Sequence, residues 1–405
     1  MTIRDRFKVL TLILAVTFVI PAHAERQERD GDVYMVGHCY TPTQAAKLLN
    51  DFSKTHHDRG TWEARRATIR QNILDGAQLS SIPKHRKAPA VIRHSKKQMV
   101  GYTVENIAIE TLPGLWLCGN LYLPNDYDPN DASVSVPGVL CPHGHKKDKR
   151  FDEQVQARSA AFARMGAAVF AYDMIGHGET KQLEHKTAKT LRLHTWNSIR
   201  ALDYLAALPG IDNDRLAITG GSGGGTQTFV LSAIDERIDL SMPAVMVSSY
   251  FFGGCGCESG MPIHVRGDFE TNNVEIAAAF APKPLLLISN GKDWTQHNPT
   301  LAYPYIKDIY SYYAAENKIE NAHLQDEGHD YGPNKRAAAY RFIAKHFDLD
   351  IASIQDSQGK IDESWFELLG TEQLRVLNDD HALPDNALTQ SQQAHEQLDA
   401  IMKNQ

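Results

Sequence analysis

One short glycine-rich stretch holds a serine in a context that suits nucleophilic catalysis. Residues 220–224 read Gly-Gly-Ser-Gly-Gly and fit the pattern G-x-S-x-G, with Ser222 at the centre. An apolar run precedes the stretch and a helix-capable run follows it, which predicts a strand, a tight turn and a helix. Such a turn lifts the serine hydroxyl off the sheet, so Ser222 is the candidate nucleophile. A flexible Gly/Ser linker is the alternative, and the apolar flanks disfavour it.

The serine needs a base that takes its proton, normally a histidine that is oriented by a carboxylate. Downstream of residue 222, one apolar run ends at Asp293 and a second ends in a Gly-His turn at His329. Each could be an ordinary loop residue when taken alone, but together they follow the order serine, acid, histidine of α/β-hydrolases. We therefore expect Asp293 as the acid and His329 as the base. Glu258, which lies beyond the strand after the serine helix, is the rival acid.

Two backbone segments could stabilise the oxyanion of a tetrahedral intermediate. The first is the N–H of Gly223, directly after the serine, and the second is the loop after the apolar run 139–141, at Gly144 or His145. The pair His143 and His145 could instead bind a metal, but no third ligand stands at a telling spacing. The spacing of the histidines therefore does not favour a metal site. His177, in a glycine-rich turn, and Trp294, beside the candidate acid, are candidate substrate contacts.

The five cysteines predict no particular disulfide, although an odd number leaves at least one unpaired in an oxidising compartment. Cys255 and Cys257 stand close enough to suggest metal or redox chemistry, but paired zinc ligands are normally two or more residues apart. Buried structural thiols are the preferred interpretation. The full set is Cys39, Cys118, Cys141, Cys255 and Cys257.

Alternating strands and helices are expected to position these residues. Two runs of alternating polarity, joined by Pro113 and Gly114, predict an antiparallel pair, and strands then alternate with helices up to residue 349. This alternation indicates an α/β fold with a mostly parallel sheet covered on both faces. We expect a helical segment over 25–98, a catalytic domain over 99–349, and a helical tail over 350–405. Candidate helices of the tail are 363–377 and 387–402.

The N-terminal residues are typical of a secretory signal peptide. Cations precede an apolar run over 9–20, and Ala22-x-Ala24 supplies a cleavage site that predicts removal of residues 1–24. An uncleaved membrane anchor is the alternative; otherwise no stable membrane anchor is expected, and the protein is periplasmic or secreted. Removal would make the formal net charge of −7 more negative by two units. This acidic balance does not suggest nucleic-acid binding.

Taken together, these motifs resemble the α/β-hydrolase superfamily across residues 99–349. Within it, residues 170–178, 221–228 and 251–255 resemble secreted bacterial hydrolases that are related to acetyl xylan esterases. The resemblance implies removal of acetyl or similar small acyl groups from plant or algal polysaccharide, without a metal or organic cofactor. The expected partner is therefore an acylated oligosaccharide or polysaccharide.

Three alternatives stay open. Glucuronoyl esterases are the nearest, and Glu258 as the triad acid would suit them, but that group usually has an arginine directly after the serine, where this chain has Gly223. A prolyl-oligopeptidase-type peptidase would use the same triad, yet the chain lacks a propeller-length N-terminal domain. A carbohydrate-binding protein without activity is the third, because folds can retain their shape after losing chemistry.

Overall fold

The structure is a computed structural model that describes residues 27–29 and 32–403. The predicted signal peptide, residues 1–24, lies outside these described residues. Among the helices of the described part, none combines the length and apolar character that spanning a bilayer requires.

Thirteen strands and eleven α-helices are found in the described residues. The strands are β1 (Gln27–Arg29), β2 (Asp32–Tyr34), β3 (Val91–Gln98), β4 (Tyr102–Leu112), β5 (Leu115–Pro124), β6 (Val136–Pro142), β7 (Ala168–Tyr172), β8 (Ile211–Gly221), β9 (Leu240–Ala244), β10 (Val265–Arg266), β11 (Phe269–Glu270), β12 (Leu285–Asn290) and β13 (Ile319–Leu324). The helices are α1 (Pro42–Ser53), α2 (Arg59–Gly76), α3 (Glu153–Arg164), α4 (Thr190–Ala206), α5 (Gly223–Ile234), α6 (Gly256–Ser259), α7 (Asn273–Ala278), α8 (Tyr303–Ser311), α9 (Pro333–Phe347), α10 (Thr371–Leu374) and α11 (Ser391–Lys403).

A nine-stranded sheet forms the centre of the molecule, in the order β13-β12-β9-β8-β6-β7-β5-β4-β3. The six strands from β13 to β7 are parallel, and β5, β4 and β3 are antiparallel to their neighbours. The predicted antiparallel pair and the predicted mostly parallel sheet are both confirmed. Because parallel strands end at the same edge, the residues that follow β6, β8 and β12 meet there.

Helices cover both faces of the sheet, which explains why its central strands read as continuous apolar runs. One apolar core packs the sheet against α2, α4, α5, α7 and α8, and the other packs it against α3 and α9. Every residue of β7, β9 and β12 is buried. A separate small sheet pairs β2 with β1 and β10, and β10 with β11.

Two segments differ from the sequence prediction. Strand β3 belongs to the central sheet, although the catalytic domain was expected to begin at residue 99. Its sequence shows no alternation of apolar and polar residues, because none of its residues is buried. In the tail, α11 is present, but a helix over 363–377 is wrong apart from α10. The backbone there bonds to the domain instead: Leu374 O accepts from Asn120 Nδ2 at 3.0 Å, and Val376 N donates to Glu179 Oε2 at 2.9 Å.

Candidate active site

Ser222 stands alone between the end of β8 and the start of α5. Its backbone has φ +56° and ψ −123°, a conformation that residues other than glycine rarely adopt. The surrounding bonds hold it there: Ser222 N donates to Ala244 O at 3.1 Å, and Ser222 O accepts from Thr226 N at 3.1 Å. Strain of this kind is retained at functional sites when neighbouring structure determines it. The turn therefore has the geometry of a nucleophile elbow.

The glycines two residues before and two residues after the serine, Gly220 and Gly224, leave no room for a side chain. A Cβ built on Gly220 would lie 2.5 Å from Pro142 O, and one built on Gly224 would lie 2.4 Å from the same carbonyl oxygen. The elbow can therefore pack against the end of β6 only with glycine at both positions. This is the physical basis of the G-x-S-x-G pattern in this chain.

The structure brings Asp293 and His329 into direct contact. The acid follows β12, and its Oδ2 accepts a hydrogen bond from His329 Nδ1 at 2.7 Å. Thr295 also donates to Asp293 Oδ1, from its N at 2.7 Å and its Oγ1 at 2.6 Å. Burial opposes ionisation, but these bonds outweigh it and hold the pKa of Asp293 below its ordinary value. With the Nδ1 proton engaged, His329 Nε2 is left as the basic nitrogen.

Ser222 and His329 line one cavity of about 320 Å³, together with Gly144, His145 and Trp294. The Trp294 ring lies over His329, with ring centres 4.3 Å apart, and its Nε1 donates to Val245 O at 3.1 Å. Serine, imidazole and carboxylate are thus assembled at one opening to solvent. The arrangement can activate a hydroxyl for attack on a carbonyl carbon.

The predicted oxyanion donors lie beside the serine. A Cβ built on Gly144 would be 3.0 Å from Ser222 Cβ, and one built on Gly223 would be 2.9 Å from His145 Cε1, so the two loops are in contact. Within the described residues, the backbone N–H groups of His145 and Gly223 have no acceptor. Unsatisfied donors at such a point are what a developing oxyanion requires.

The structure does not bring Glu258 to the base. Its side chain is buried, its Oε2 accepts from Cys255 N at 2.9 Å, and its Oε1 lies 3.7 Å from His145 Nδ1. The hydrogen bond from His329 goes to Asp293 instead. Burial raises the pKa of Glu258. Of the two carboxylates considered, Asp293 therefore contacts the candidate base, and Glu258 lies beside the oxyanion loop instead.

His177 does not line the cavity of Ser222. Its ring packs against His185, with centres 4.2 Å apart, and lies 5.8 Å from the His145 ring. Burial lowers its pKa to about 4. His177 therefore lies outside this cavity, whereas Trp294 lines it; a contact between His177 and substrate stays a prediction.

A group of metal-type side chains was missed. His145, His185, Cys255 and Cys257 each offer one ligand atom, and these four atoms lie within 4.8 Å of one another. His143 is not among them, because its Nδ1 donates to Gly144 O and its Nε2 accepts from Met174 N. The closely spaced cysteines were the signal in the sequence. No local spacing could have identified His185, and the described residues contain no disulfide.

Cationic side chains in the cavity wall were also missed. Lys146, Lys149 and Arg158 contribute to it, as do Asp152 and Asp330. Lys146 directly follows the His-Gly-His segment, so its position after a strand end could have suggested a place near the serine.

Comparisons with known proteins find relatives among carbohydrate esterases. The model of the fungal glucuronyl esterase family matches residues 160–257. The solved structure of methylesterase BT1017 is 34% identical, covers 90% of this chain and 81% of its own, and superposes with a TM-score of 0.79. A candidate acetyl xylan esterase structure from Bacteroides fragilis is 17% identical, with 72% and 83% coverage and a TM-score of 0.52, and shows the fold alone.

A curated relative extends this likeness at the level of sequence. The 4-O-methyl-glucuronoyl methylesterase of Neurospora crassa is 24% identical over 202 residues, which are 41% of this chain. The match spans half the length of that relative.

Proposed function

The chain belongs to the α/β-hydrolase carbohydrate esterases that include methylesterase BT1017, and from this premise we propose that it hydrolyses methyl esters of uronic acid residues in an oligosaccharide or polysaccharide. It is a carboxylic ester hydrolase. The observation that carries the proposal is one cavity lined by both Ser222 and His329, with Asp293 bonded to the imidazole. Two relatives that are named as methylesterases support the substrate class.

The reaction follows from the positions of these side chains. Ser222 Oγ attacks the ester carbonyl carbon while His329 Nε2 takes the hydroxyl proton, and the resulting oxyanion accepts from the N–H groups of Gly223 and His145. His329 returns the proton to the methoxy oxygen, which leaves as methanol. Water then attacks the sugar acyl-enzyme with His329 again as base, and the uronate is released. One oxyanion donor of this kind contributes about 3–4 kcal/mol to transition-state stabilisation.

The charged groups of the cavity wall are Lys146, Lys149, Arg158, Asp152 and Asp330, so three cations outnumber two acids, which favours a sugar that carries negative charge. Asp330 Oδ1 accepts from Lys335 Nζ at 2.7 Å, so this acid is compensated outside the cavity. Lys146 Nζ is bonded to the neutral amide of Gln154 at 2.6 Å, and neither Lys146 nor Lys149 has a carboxylate within 4.0 Å among the described residues. These two ammonium groups can bind neighbouring uronates of the chain, or the carboxylate that forms as product.

Product analysis tests the proposal directly. The enzyme is incubated with a methyl-esterified glucurono-oligosaccharide and, separately, with an acetylated xylo-oligosaccharide, and methanol and acetate are quantified. We expect methanol release with the higher kcat/KM, and no release of either product by Ser222→Ala. Acetate as the main product would favour the second candidate, an acetyl esterase, which the likeness of residues 170–178 to acetyl xylan esterases supports. Absence of both products would refute the proposal.

A pair of lysine variants tests the substrate charge. Lys146→Ala and Lys149→Ala are expected to raise KM for an anionic oligouronate ester by up to about fivefold each, because an exposed charge contact contributes about 0.2–1 kcal/mol. The KM for neutral nitrophenyl acetate stays unchanged, and added salt reduces the difference. Lys345→Ala, on a remote exposed ion pair with Glu320, is the matched control. Equal effects on both substrates would contradict the assigned charge preference.

We also propose that the enzyme is exported and that its leader is cleaved after Ala24. The cationic start, the apolar run and the Ala22-x-Ala24 site support this. Expression with its own leader in a Gram-negative host is expected to give a periplasmic or secreted protein whose first residue is Glu25. An Ala24→Asp variant should retain the leader, and a cytoplasmic wild-type protein that begins at Met1 would refute the proposal.

A further inference from the structure

Three separate segments bring four ligand-type side chains to one point behind the oxyanion loop. His145 follows β6, His185 precedes α4, and Cys255 and Cys257 lie at the start of α6. His145 Nε2 is 3.1 Å from His185 Nε2 and 3.3 Å from Cys257 Sγ, and His185 Nε2 is 3.2 Å from Cys255 Sγ. The four atoms therefore form a compact group of two nitrogens and two sulfurs.

These separations match the edges of a metal-centred tetrahedron. With Zn–N distances of about 2.0–2.1 Å and Zn–S distances of about 2.3 Å, adjacent ligand atoms are about 3.3–3.8 Å apart. The observed 3.1–3.3 Å are shorter by a few tenths of an ångström. The other three separations are at most 4.8 Å. Shifts of at most about 1 Å would therefore bring all four atoms to the distances that a central zinc ion requires.

The protonation pattern leaves electron pairs directed at the centre. His185 Nδ1 donates to Ile175 O at 2.7 Å, so its Nε2 carries a lone pair when the ring is neutral. His145 Nε2 faces this lone pair, and Glu258 lies near the Nδ1 of the same ring. The thiol S–H groups could donate to the two nitrogens, which would account for each Cys–His pair but not for the 3.1 Å approach of the two Nε2 atoms. A cation between the four atoms satisfies all of them.

We propose that His145, His185, Cys255 and Cys257 bind one zinc ion. Two thiolates and two imidazoles in a tetrahedral arrangement are a donor set that Zn²⁺ takes, whereas Ca²⁺ and Mg²⁺ require oxygen ligands. Four protein ligands leave no open position for water, so the ion is structural. Binding releases the two thiol protons as Zn–S bonds form, and no change of oxidation state is involved.

Supporting contacts around the cluster match those of metal sites. Ligating histidines usually give their second ring N–H to a carbonyl or carboxylate, as His185 does to Ile175 O. Glu258 holds the cysteine segment by accepting from Cys255 N at 2.9 Å, and it lies on the Nδ1 side of His145. The buried carboxylate that sequence analysis considered as a catalytic acid is thus a positioning residue for the zinc ligands.

The ion would also fix one of the oxyanion donors. His145 bears the proposed donor N–H on its backbone and a zinc ligand on its ring, and that ring lies against Gly223. Zinc would therefore tie the loop after β6 to the loop before α4 and to α6. This consequence for catalysis rests on the proposed function, whereas the metal content does not.

Metal analysis of the full chain, purified from zinc-supplemented medium without chelator, tests the site. We expect one zinc per chain by mass spectrometry of the elements. Cys257→Ser and Cys255→Ser should lower the zinc content several-fold, while Cys39→Ser, outside the cluster, should keep it. Refolding with Co²⁺ in place of zinc should give the visible absorption of a tetrahedral thiolate complex, which Cys257→Ser lacks.

The wild-type protein keeps this test decisive if the cysteine variants fail to fold. A folded wild-type protein that holds no zinc and gives no Co²⁺ spectrum would overturn the proposal, as would a native Cys255–Cys257 disulfide or stoichiometric iron or copper. Zinc removal by a chelator should lower kcat on nitrophenyl acetate more than it changes KM; unchanged kcat would overturn the link to the oxyanion loop. Bound zinc in a protein without esterase activity would refute the proposed function alone.

Discussion

The carboxylate of Asp293 is placed so that even an amide cannot replace it. Its side chain is only 3% exposed, and each oxygen faces donors: His329 Nδ1 and Asn290 Nδ2 on Oδ2, and two groups of Thr295 on Oδ1. In Asp293→Asn, the amide NH2 must face one of these sets. If it faces His329, the imidazole must accept at Nδ1 and carry its proton on Nε2, where it cannot take the proton of Ser222.

The expected loss is large because the wrong tautomer removes the base. A corresponding change in a serine protease lowers kcat by about 10⁴-fold, so we expect a loss of about 10³–10⁴-fold, or about 4–5.5 kcal/mol of transition-state stabilisation. If the amide turns the other way, Thr295 N loses its acceptor, which costs about 1–3 kcal/mol of folding stability. Either orientation leaves one donor unsatisfied.

The assay is initial-rate hydrolysis of nitrophenyl acetate and of the uronate methyl ester, with urea unfolding to separate activity from stability. Glu258→Gln is the comparison variant because it changes the rival acid in the same way. Its amide oxygen can still accept from Cys255 N, so we expect a smaller loss of kcat than in Asp293→Asn. If Asp293→Asn retained more than about a tenth of kcat, a loss of under 1.4 kcal/mol, and also unfolded with the wild-type free energy, neither orientation of the amide would apply and the reasoning would be refuted. A larger loss in Glu258→Gln than in Asp293→Asn would make Glu258 the acid.

Four further outcomes are expected. Ser222→Gly should abolish turnover but raise the free energy of urea unfolding by about 1–3 kcal/mol, because glycine adopts the positive φ without strain. Ser222→Ala keeps the strain, so equal unfolding free energies of the two variants would contradict this. Gly223→Ala should lower kcat and cost about 1–3 kcal/mol of stability in the same assay, since its Cβ would lie 2.9 Å from the His145 ring; a wild-type kcat would argue against the packing. Trp294→Ala should reduce kcat/KM for both esters, since the ring packs 4.3 Å from the catalytic imidazole, while Trp294→Phe retains more. Folding lowers the pKa of Asp293, so the ionised carboxylate stabilises the folded protein above about pH 4, and this contribution is lost at lower pH. The unfolding free energy of Asp293→Asn should therefore fall less on acidification than that of the wild-type protein. An identical pH dependence of the two proteins would contradict this.

The parts of this protein that the sequence predicts are those set by local rules. The sequence predicts the Gly-Gly-Ser-Gly-Gly turn because glycine alone fits beside Pro142. It predicts the apolar strands because both faces of the sheet are covered. The edge at which Ser222, Asp293 and His329 meet follows from the rule that parallel strands end together. The antiparallel pair β4–β5 is equally local. Strand β3 was hidden because its polar residues are not buried.

Only the tertiary structure decides which of two carboxylates reaches His329, because both Asp293 and Glu258 lie in segments that follow a strand of the sheet. It also turns His177 away from the cavity and gathers His145, His185 and the cysteine pair at 255 and 257, which come from segments 40 and 70 residues apart along the chain. Periodicity and turn chemistry act over a few neighbouring residues, whereas contacts between loops depend on how strands pair and helices pack. The resemblance to esterases predicts the type of reaction, whereas the packing of the loops determines which side chains surround Ser222.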